Sequence, residues 1–294
     1  MQLKSASLVF ALSLVAWQPV AAAEPPAAPD PEPWRFNLAS YGWAVGVTGN
    51  VATRGQTIDV NASAIDLIQK SDSLIGFMGY FEADKGPIGF YTDLVFAKLG
   101  FGTGQTNYRN PLPGLSIATT TSTALTYSLF IAEVGGVYEI ARWPGASEGA
   151  ATSLDGVLGF RYWNNSIDAN FSASGNVNVA AYGFDRSFGL NVARAGGVQW
   201  VDPLVGLRLR HGFTPRQQIV VRGDIGGFGL GSQLTWQAVA VYSYEWQFTG
   251  YQVAALLGFR ALGVNYSSPS GAGINAVGIN EILYGPIIGV SFRF

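Results

Sequence analysis

From Trp34 onward the chain alternates apolar and polar residues with a period of two, broken at intervals by Gly, Ser, Thr, Asn or Pro. That period puts successive side chains on opposite faces of an extended strand. The last segment shows it most plainly. Tyr284, Pro286, Ile288, Val290, Phe292 and Phe294 share one phase, and Gly285, Ile287, Gly289, Ser291 and Arg293 share the other. The same reading predicts strands over Trp34 to Val47, Leu74 to Asp84, Ile88 to Leu99, Ser122 to Ala141, Thr152 to Asn164, Val198 to His211, Gln217 to Phe228, Leu234 to Trp246 and Tyr251 to Val264. With Ile282 to Phe294 these make ten, an even number that returns the chain to the side it started from. In the first strand the apolar phase passes from Trp34, Phe36 and Leu38 to Tyr41, Trp43, Val45 and Val47, which predicts a bulge near Ala39.

The connections differ in length by side. Those after Asp84, Ala141, His211 and Trp246 are short. On the opposite side Gly49 to Ser73, Gly100 to Thr121, Asn165 to Ala195 and Asn265 to Glu281 are long, and Gly229 to Ser232 is brief. Within the first long loop Val51 to Val60 suits a hairpin around Arg54-Gly55, and Ser63 suits the N-cap of a short helix carrying Ile65, Leu67 and Ile68. Eight strands, or twelve if Val51 to Val60 or Ile167 to Leu190 cross as well, are the alternatives.

Charges sharpen the pattern, because they oppose the apolar phase. Asp155 and Arg161 oppose Leu154, Leu158 and Phe160; Asp202, Arg208 and Arg210 oppose Val201, Val205 and Leu207. Arg222 and Asp224 oppose Ile219, Val221 and Ile225, while Glu245, Arg260, Asp93 and Arg293 each oppose apolar neighbours in their own strands. Glu133 lies where the phase slips. The expected inward set is thus Asp93, Glu133, Asp155, Asp202, Asp224 and Glu245 with Arg161, Arg208, Arg210, Arg222, Arg260 and Arg293, six acids for six arginines. Paired networks bracing an interior are the first reading, since a buried charge without a partner is costly; a selectivity lining is the second. Lys98 falls on the apolar phase, at an expected strand end where it can snorkel.

Composition says which solvent each phase meets. Hydrophobic residues make up 48% of the 294 and charged ones only 12%, against about 25% in ordinary soluble domains. No internal run reaches the roughly 20 consecutive apolar residues of a membrane helix. The spanning structure left is a closed barrel, in which every backbone group is paired. Short turns on one side and long loops on the other are the habit of outer-membrane barrels. The expected fold is therefore all-β, a closed antiparallel transmembrane up-and-down barrel over 34–294. Trp34, Trp43, Tyr80, Trp143, Tyr162, Trp163, Trp200, Trp246, Tyr251, Tyr284 and Phe294 are its expected interfacial aromatics. At ten strands the lumen is narrow and charge-filled, since wide channels need sixteen or more.

Met1 to Ala23 reads as a secretory signal peptide, with Lys4, an apolar stretch and an Ala21-Ala22-Ala23 exit; Glu24 to Pro33 reads as a proline-rich periplasmic linker. The chain has no cysteine. That removes disulfides, thiolate chemistry and lipid attachment through an N-terminal Cys. Net charge of -2 gives no reason to expect nucleic acid. The single histidine, His211, is followed by Gly212 and Phe213, so the His-x-Ser spacing of the outer-membrane phospholipase is missing. Gly223 to Gly231 is a strand and turn rather than a phosphate loop before a helix. No catalytic, metal or cofactor residues are expected.

An apolar strand closing on Phe294, with Phe292 and Tyr284 in phase, resembles the C-terminal strand of Gram-negative outer-membrane barrels. There it serves as the recognition signal for insertion, which would place that role on Tyr284, Ile288, Val290, Phe292 and Phe294. Further segments add to this: Pro33-Trp34-Arg35-Phe36, Val60-Asn61-Ala62-Ser63-Ala64-Ile65-Asp66, Phe81-Glu82-Ala83-Asp84-Lys85-Gly86, Asp202-Pro203-Leu204-Val205-Gly206-Leu207-Arg208, Arg222-Gly223-Asp224-Ile225-Gly226-Gly227-Phe228-Gly229, Ser232-Gln233-Leu234-Thr235-Trp236-Gln237 and Gly285-Pro286-Ile287-Ile288-Gly289-Val290. Together they resemble a widespread family of largely uncharacterised proteobacterial outer-membrane β-barrel proteins, over nearly the whole mature chain. The resemblance implies fold and location and brings no catalytic residue or substrate. The expected function is a non-enzymatic, surface-exposed outer-membrane barrel; a small-solute channel is the alternative, and a hydrolase the remote one. Expected partners are outer-membrane lipid and lipopolysaccharide and, during biogenesis, the barrel-assembly machinery and periplasmic chaperones. A monomer is expected.

Overall fold

The computed structural model describes residues 32–53, 56–112, 115–145, 150–179, 184–268 and 277–294. The expected signal peptide, most of the linker, and Arg54-Gly55 lie outside these. Twelve strands and one helix follow in order: β1 Arg35–Trp43, β2 Gly46–Thr53, β3 Gln56–Ala62, α1 Ala64–Lys70, β4 Ser73–Lys85, β5 Ile88–Leu112, β6 Leu115–Pro144, β7 Ala151–Val179, β8 Phe184–Thr214, β9 Gln217–Gly226, β10 Leu234–Phe248, β11 Tyr251–Ser267 and β12 Val277–Arg293. Ten of them, β1 and β4 to β12, close into a ring of antiparallel neighbours, the last joint being β1 on β12 from Asn37↔Arg293 to Trp43↔Ile287. The amides and carbonyls of Phe36 and Phe294 bond each other at 2.8 and 3.0 Å, and their rings lie 5.6 Å apart. Closure leaves no free edge along this joint, which is what a barrel achieves over an open sheet.

β2 and β3 are a hairpin that prolongs the wall on the far half of β12, Val277 to Tyr284. The described parts of Val51 to Val60 belong to β2 and β3, and those of Ile167 to Leu190 to β7 and β8, and none of them adds a crossing strand to the ring. No bulge occurs at Ala39, where β1 stays in register with β12; the break between β1 and β2 falls at Ala44-Val45. There the Ala44 carbonyl approaches so closely that a Cβ on Gly285 would lie 1.9 Å from it, which is why a glycine stands opposite the break. Tyr41, Trp43, Val45 and Val47 look like an outward phase only because the interior they face is itself apolar.

Among the described residues, one gap in the hydrogen bonding lies between β4 and β1. β4 pairs with β1 only from Asp84 to Gly79, and its far half is paired on the β5 side alone. At the start of this seam the Trp43 amide donates to Met78 Sδ at 3.1 Å, so a thioether takes the place of a strand carbonyl. α1 lies against β2 and β3, capped as expected by Ser63, whose hydroxyl accepts from the Asp66 amide while the Asp66 carboxylate accepts from the Ser63 amide.

β5 to β8 run to 25, 30, 29 and 31 residues. A tilted strand crosses a bilayer in about 9–11. The excess is not loop. Gly100 to Thr121 and Asn165 to Ala195 contain continuous antiparallel ladders that carry these four strands beyond the ring as a fin. Lys98 accordingly sits within β5, near where the ring gives way to the fin.

Polarity inverts along the fin strands. On β7 the outward side carries Leu158 and Phe160, both exposed, then Tyr162, then Asn164, Ser166, Asp168, Asn170, Ser172 and Ser174. The inward side carries Asp155 and Arg161, then Trp163, Ile167 and Phe171. The same alternation continues unbroken while its meaning reverses. Around the ring the outward apolar side includes Phe77, Phe90, Val134, Val205, Leu257 and Ile288, all exposed.

Candidate functional site

The lumen is filled in two layers. Nearer the short turns it is charged. Glu133 on β6 and Arg161 on β7 are ladder partners, which aims both at the centre, and Asp224 on β9 meets them from across the barrel. Arg161 is fully buried; its Nη2 donates to Glu133 Oε2 and Asp224 Oδ1, each at 2.7 Å, and its Nη1 to Thr235 Oγ1 at 3.3 Å. Arg222 also bridges Glu133 and Asp224 and lies 4.7 Å over the Tyr91 ring, whose hydroxyl donates to Glu133 Oε1 at 2.7 Å. Gln237 Nε2 donates to Asp224 Oδ2 at 3.1 Å. Three acids and three arginines thus meet at mid-lumen once Arg260 and Asp93 are added, paired at 2.8 Å with the Tyr41 hydroxyl donating to Asp93 at 2.6 Å. Arg260 stands 5.0 Å over the Trp43 ring. Such pairs hold because each charge finds both a counter-charge and hydrogen bonds after losing its water.

Closer to the turns, Arg208 donates to both Glu82 oxygens at 2.8 Å and to Asp155 Oδ2 at 2.8 Å. Arg210 reaches Asp155 at 3.1 Å. Arg293 pairs with Glu245 at 2.8 Å, half-exposed at the rim. Asp202 meets no arginine. It accepts from Trp200 Nε1 at 3.0 Å and from the Ser232 amide at 2.6 Å. Its work is to hold the 227–233 turn, where Gly227 and Gly229 adopt positive φ of 86° and 77°.

The inward set therefore falls into a mid-lumen group, a group nearer the turns and the rim pair Arg293–Glu245, while Asp202, the ladder partner of Arg161, is turned to the 227–233 turn. Several members were not anticipated: Glu82, Glu139, and the hydroxyls of Tyr41, Tyr80 and Tyr91. Glu82 was readable in principle, since Phe77 and Phe81 oppose Tyr80 and Glu82 in β4. Glu133 keeps its phase, because the register shift of β6 falls later, between Glu139 and Ala141.

Beyond this charged layer the lumen is filled mainly by apolar side chains. Trp43, Met78, Val95, Leu129, Ile131, Trp163, Trp200 and Leu262 pack into one core, with Trp163 stacked on Trp200 at 5.5 Å and Trp200 on Tyr266 at 4.0 Å. Trp43, Tyr80, Trp163 and Trp200 are therefore interior residues, not the interfacial aromatics expected of them. Trp34, Trp143, Trp246, Tyr251 and Phe294 are exposed on the outside. A cavity of about 430 Å³ enters from the turn side between Arg35, Arg216, Gln218, Glu245 and Arg293 and reaches Asp93, Arg222 and Arg260. There the buried Glu133 and Arg161 and then the apolar core stand in its path.

His211 lies outside this region, on the outward phase of β8. Its Nδ1 shares a hydrogen bond of 2.8 Å with the Thr152 hydroxyl and its ring meets Phe213 edge-on at 4.6 Å.

No protein-family model matches the chain, and no curated protein does. Solved structures do show similarity. One is Ail, the attachment invasion locus protein of Yersinia pestis, in complex with sucrose octasulfate, at 12% identity over 90% of this chain and 99% of that one, TM-score 0.27. Another is a Pseudomonas aeruginosa FadL homologue, at 8% identity over 90% of each chain, TM-score 0.23. A third is the translocator domain of the autotransporter NalP from Neisseria meningitidis, at 9% identity over 89% and 88%, TM-score 0.26. The fold assignment stands on the strand ladders themselves.

Proposed function

We propose that this chain is an integral outer-membrane barrel, exported by its N-terminal signal, whose lumen is braced shut and whose work is done by the fin it holds outside the cell. The observation that carries the reading is the reversal of polarity along β7. An outward side that runs from Leu158 and Phe160 to Ser166, Asp168 and Asn170 passes from hydrocarbon into water at the level where the inward side turns from Arg161 to Trp163. The turn side then faces the periplasm, with both barrel ends, Trp34 and Phe294. Tyr284, Ile288, Val290, Phe292 and Phe294 serve as the insertion signal read by the assembly machinery, and lipopolysaccharide surrounds the belt. The role is non-enzymatic, and membership of the proteobacterial family named above belongs to the same proposal.

Because the chain has no cysteine, single thiols report its topology without interference. A membrane-impermeant maleimide on intact cells labels Ser172→Cys, whereas Thr214→Cys is labelled only after the outer membrane is permeabilised; equal labelling of both overturns the reading. In planar bilayers the purified barrel passes no discrete current steps. Steady unit conductance that responds to Arg222→Gln supports the small-solute channel instead.

A further inference from the structure

The fin presents two unlike faces, and one has no cover. Its outward face is small and polar: Gly102, Ala124, Asn170 and Ala193 form one row across the four strands, and Gly104, Ser122, Ser172 and Asn191 the next. The face continuous with the lumen wall is different. Along β7 and β8 it carries Ile167, then a row pairing Ala169 with Arg194, then the apolar rows of Phe171, Val192, Leu190 and Phe188, with Phe188 62% and Leu190 57% exposed. The Phe188 ring lies over Gly175, where a Cβ would come within 2.2 Å of it. A contiguous apolar strip of this kind in water marks a binding surface.

Charge narrows the occupant. At the far end of the strip one row reads Arg109, Ile117, Val177, Arg186, with an exposed arginine on each edge strand. The acids of the fin, Asp168 and Asp185, belong to the opposite face, where Asn176 donates to Asp185 at 2.6 Å. From Phe171 to Val177 the strip spans about 20 Å at ~3.3 Å per residue, and the two arginine Cα atoms stand about 14 Å apart across three strand spacings. A two-fold contact of this face with the same face of a second copy would set arginine against arginine.

We infer that the inner face of the fin binds a single-chain anionic amphiphile, its alkyl chain along Phe188, Leu190 and Phe171 and its carboxylate or phosphate at Arg186 and Arg109. Guanidinium groups suit oxyanion heads through paired N–H donors, while the phenyl and aliphatic rows take the chain. The inference rests on the fin standing in water, which labelling at Ser172→Cys reports separately.

The test uses the full barrel in nanodiscs and two probes, 11-(dansylamino)undecanoate and the matching alcohol. Saturable energy transfer from tryptophan to dansyl is expected for the carboxylate. Phe188→Ser with Leu190→Asn lowers its affinity at least tenfold, and a change on the other face, Ser172→Asp, leaves it unaltered. Arg186→Gln weakens the carboxylate several-fold without altering the alcohol, and inorganic phosphate competes only for the former. Heat-modifiable electrophoretic mobility confirms that each variant is folded. Binding that ignores Phe188 and Leu190 reports dissolution in the nanodisc lipid and overturns the assignment. Silence toward both probes overturns it too, and leaves the face to a protein strand adding along the free edge of β8.

Discussion

Around Arg161 the lumen is filled by charge, and around Trp163, two residues further along the same strand, it is filled by packing. The charged layer joins strands far apart in sequence: Arg208 on β8 grips Glu82 on β4, and Arg260 on β11 grips Asp93 on β5. Each such bond fixes which strands face one another across the barrel. The apolar layer has no such selectivity, since any well-fitting side chain excludes water equally. One layer specifies and the other seals.

The same incoming residue should therefore have very unequal costs in the two layers. Arg161→Met strands Glu133 and Asp224 with one arginine between them and lowers unfolding free energy by about 3–5 kcal/mol, measured by denaturant titration in micelles. Replacing Arg260 by Met together with Asp93 by Leu costs less than Arg260→Met alone, because no orphan charge remains. In the sealing layer Leu262→Met, at a fully buried site, costs less than about 1.5 kcal/mol. Equal losses for Arg161→Met and Leu262→Met would erase the distinction.

The smallest effect sits in water, where a carboxylate pair can be compared with those inside. Asp66 on α1 is held below the usual aspartate range first by the Ser63 hydroxyl, then by the Ser63 amide and Lys70. A depressed folded value means that its stabilising contribution is present above the ordinary aspartate pKa of about 3.9 and is lost as pH falls through the folded value. Amide exchange in α1 is expected to quicken below that range, and Asp66→Asn to remove the dependence. An α1 whose exchange ignores pH in the native protein would refute the cap as its support.

Much of this was legible in the alternation. The phases of Asp155, Arg161, Arg208, Arg222, Asp224 and Arg260 follow from counting by two, as do the ten crossings, and the Ser63 cap follows from its hydroxyl standing before a short helical stretch. What hid was anything that broke the rule of apolar outside and polar inside. Trp163 and Trp200 sit on the inward phase yet are apolar, so they passed for interfacial residues. The fin hid for the converse reason: Ser166, Asn170 and Ser172 carry polar groups where a membrane strand carries oil, and a strand in water on that side reads as loop. Glu82 was masked by Tyr80 and Phe81 beside it. Cross-barrel partners such as Arg208 and Glu82 stand 126 residues apart, a distance no local pattern can bridge.

The seam at Met78 sets the order in which this wall would come apart. With a sulfur in place of a carbonyl and no ladder partner beyond it among the described residues, the stretch Leu74 to Phe77 is fastened from the β5 side only. Deuterium should enter the ring there first, and the last hydrogen bonds of a newly inserted molecule should form there too.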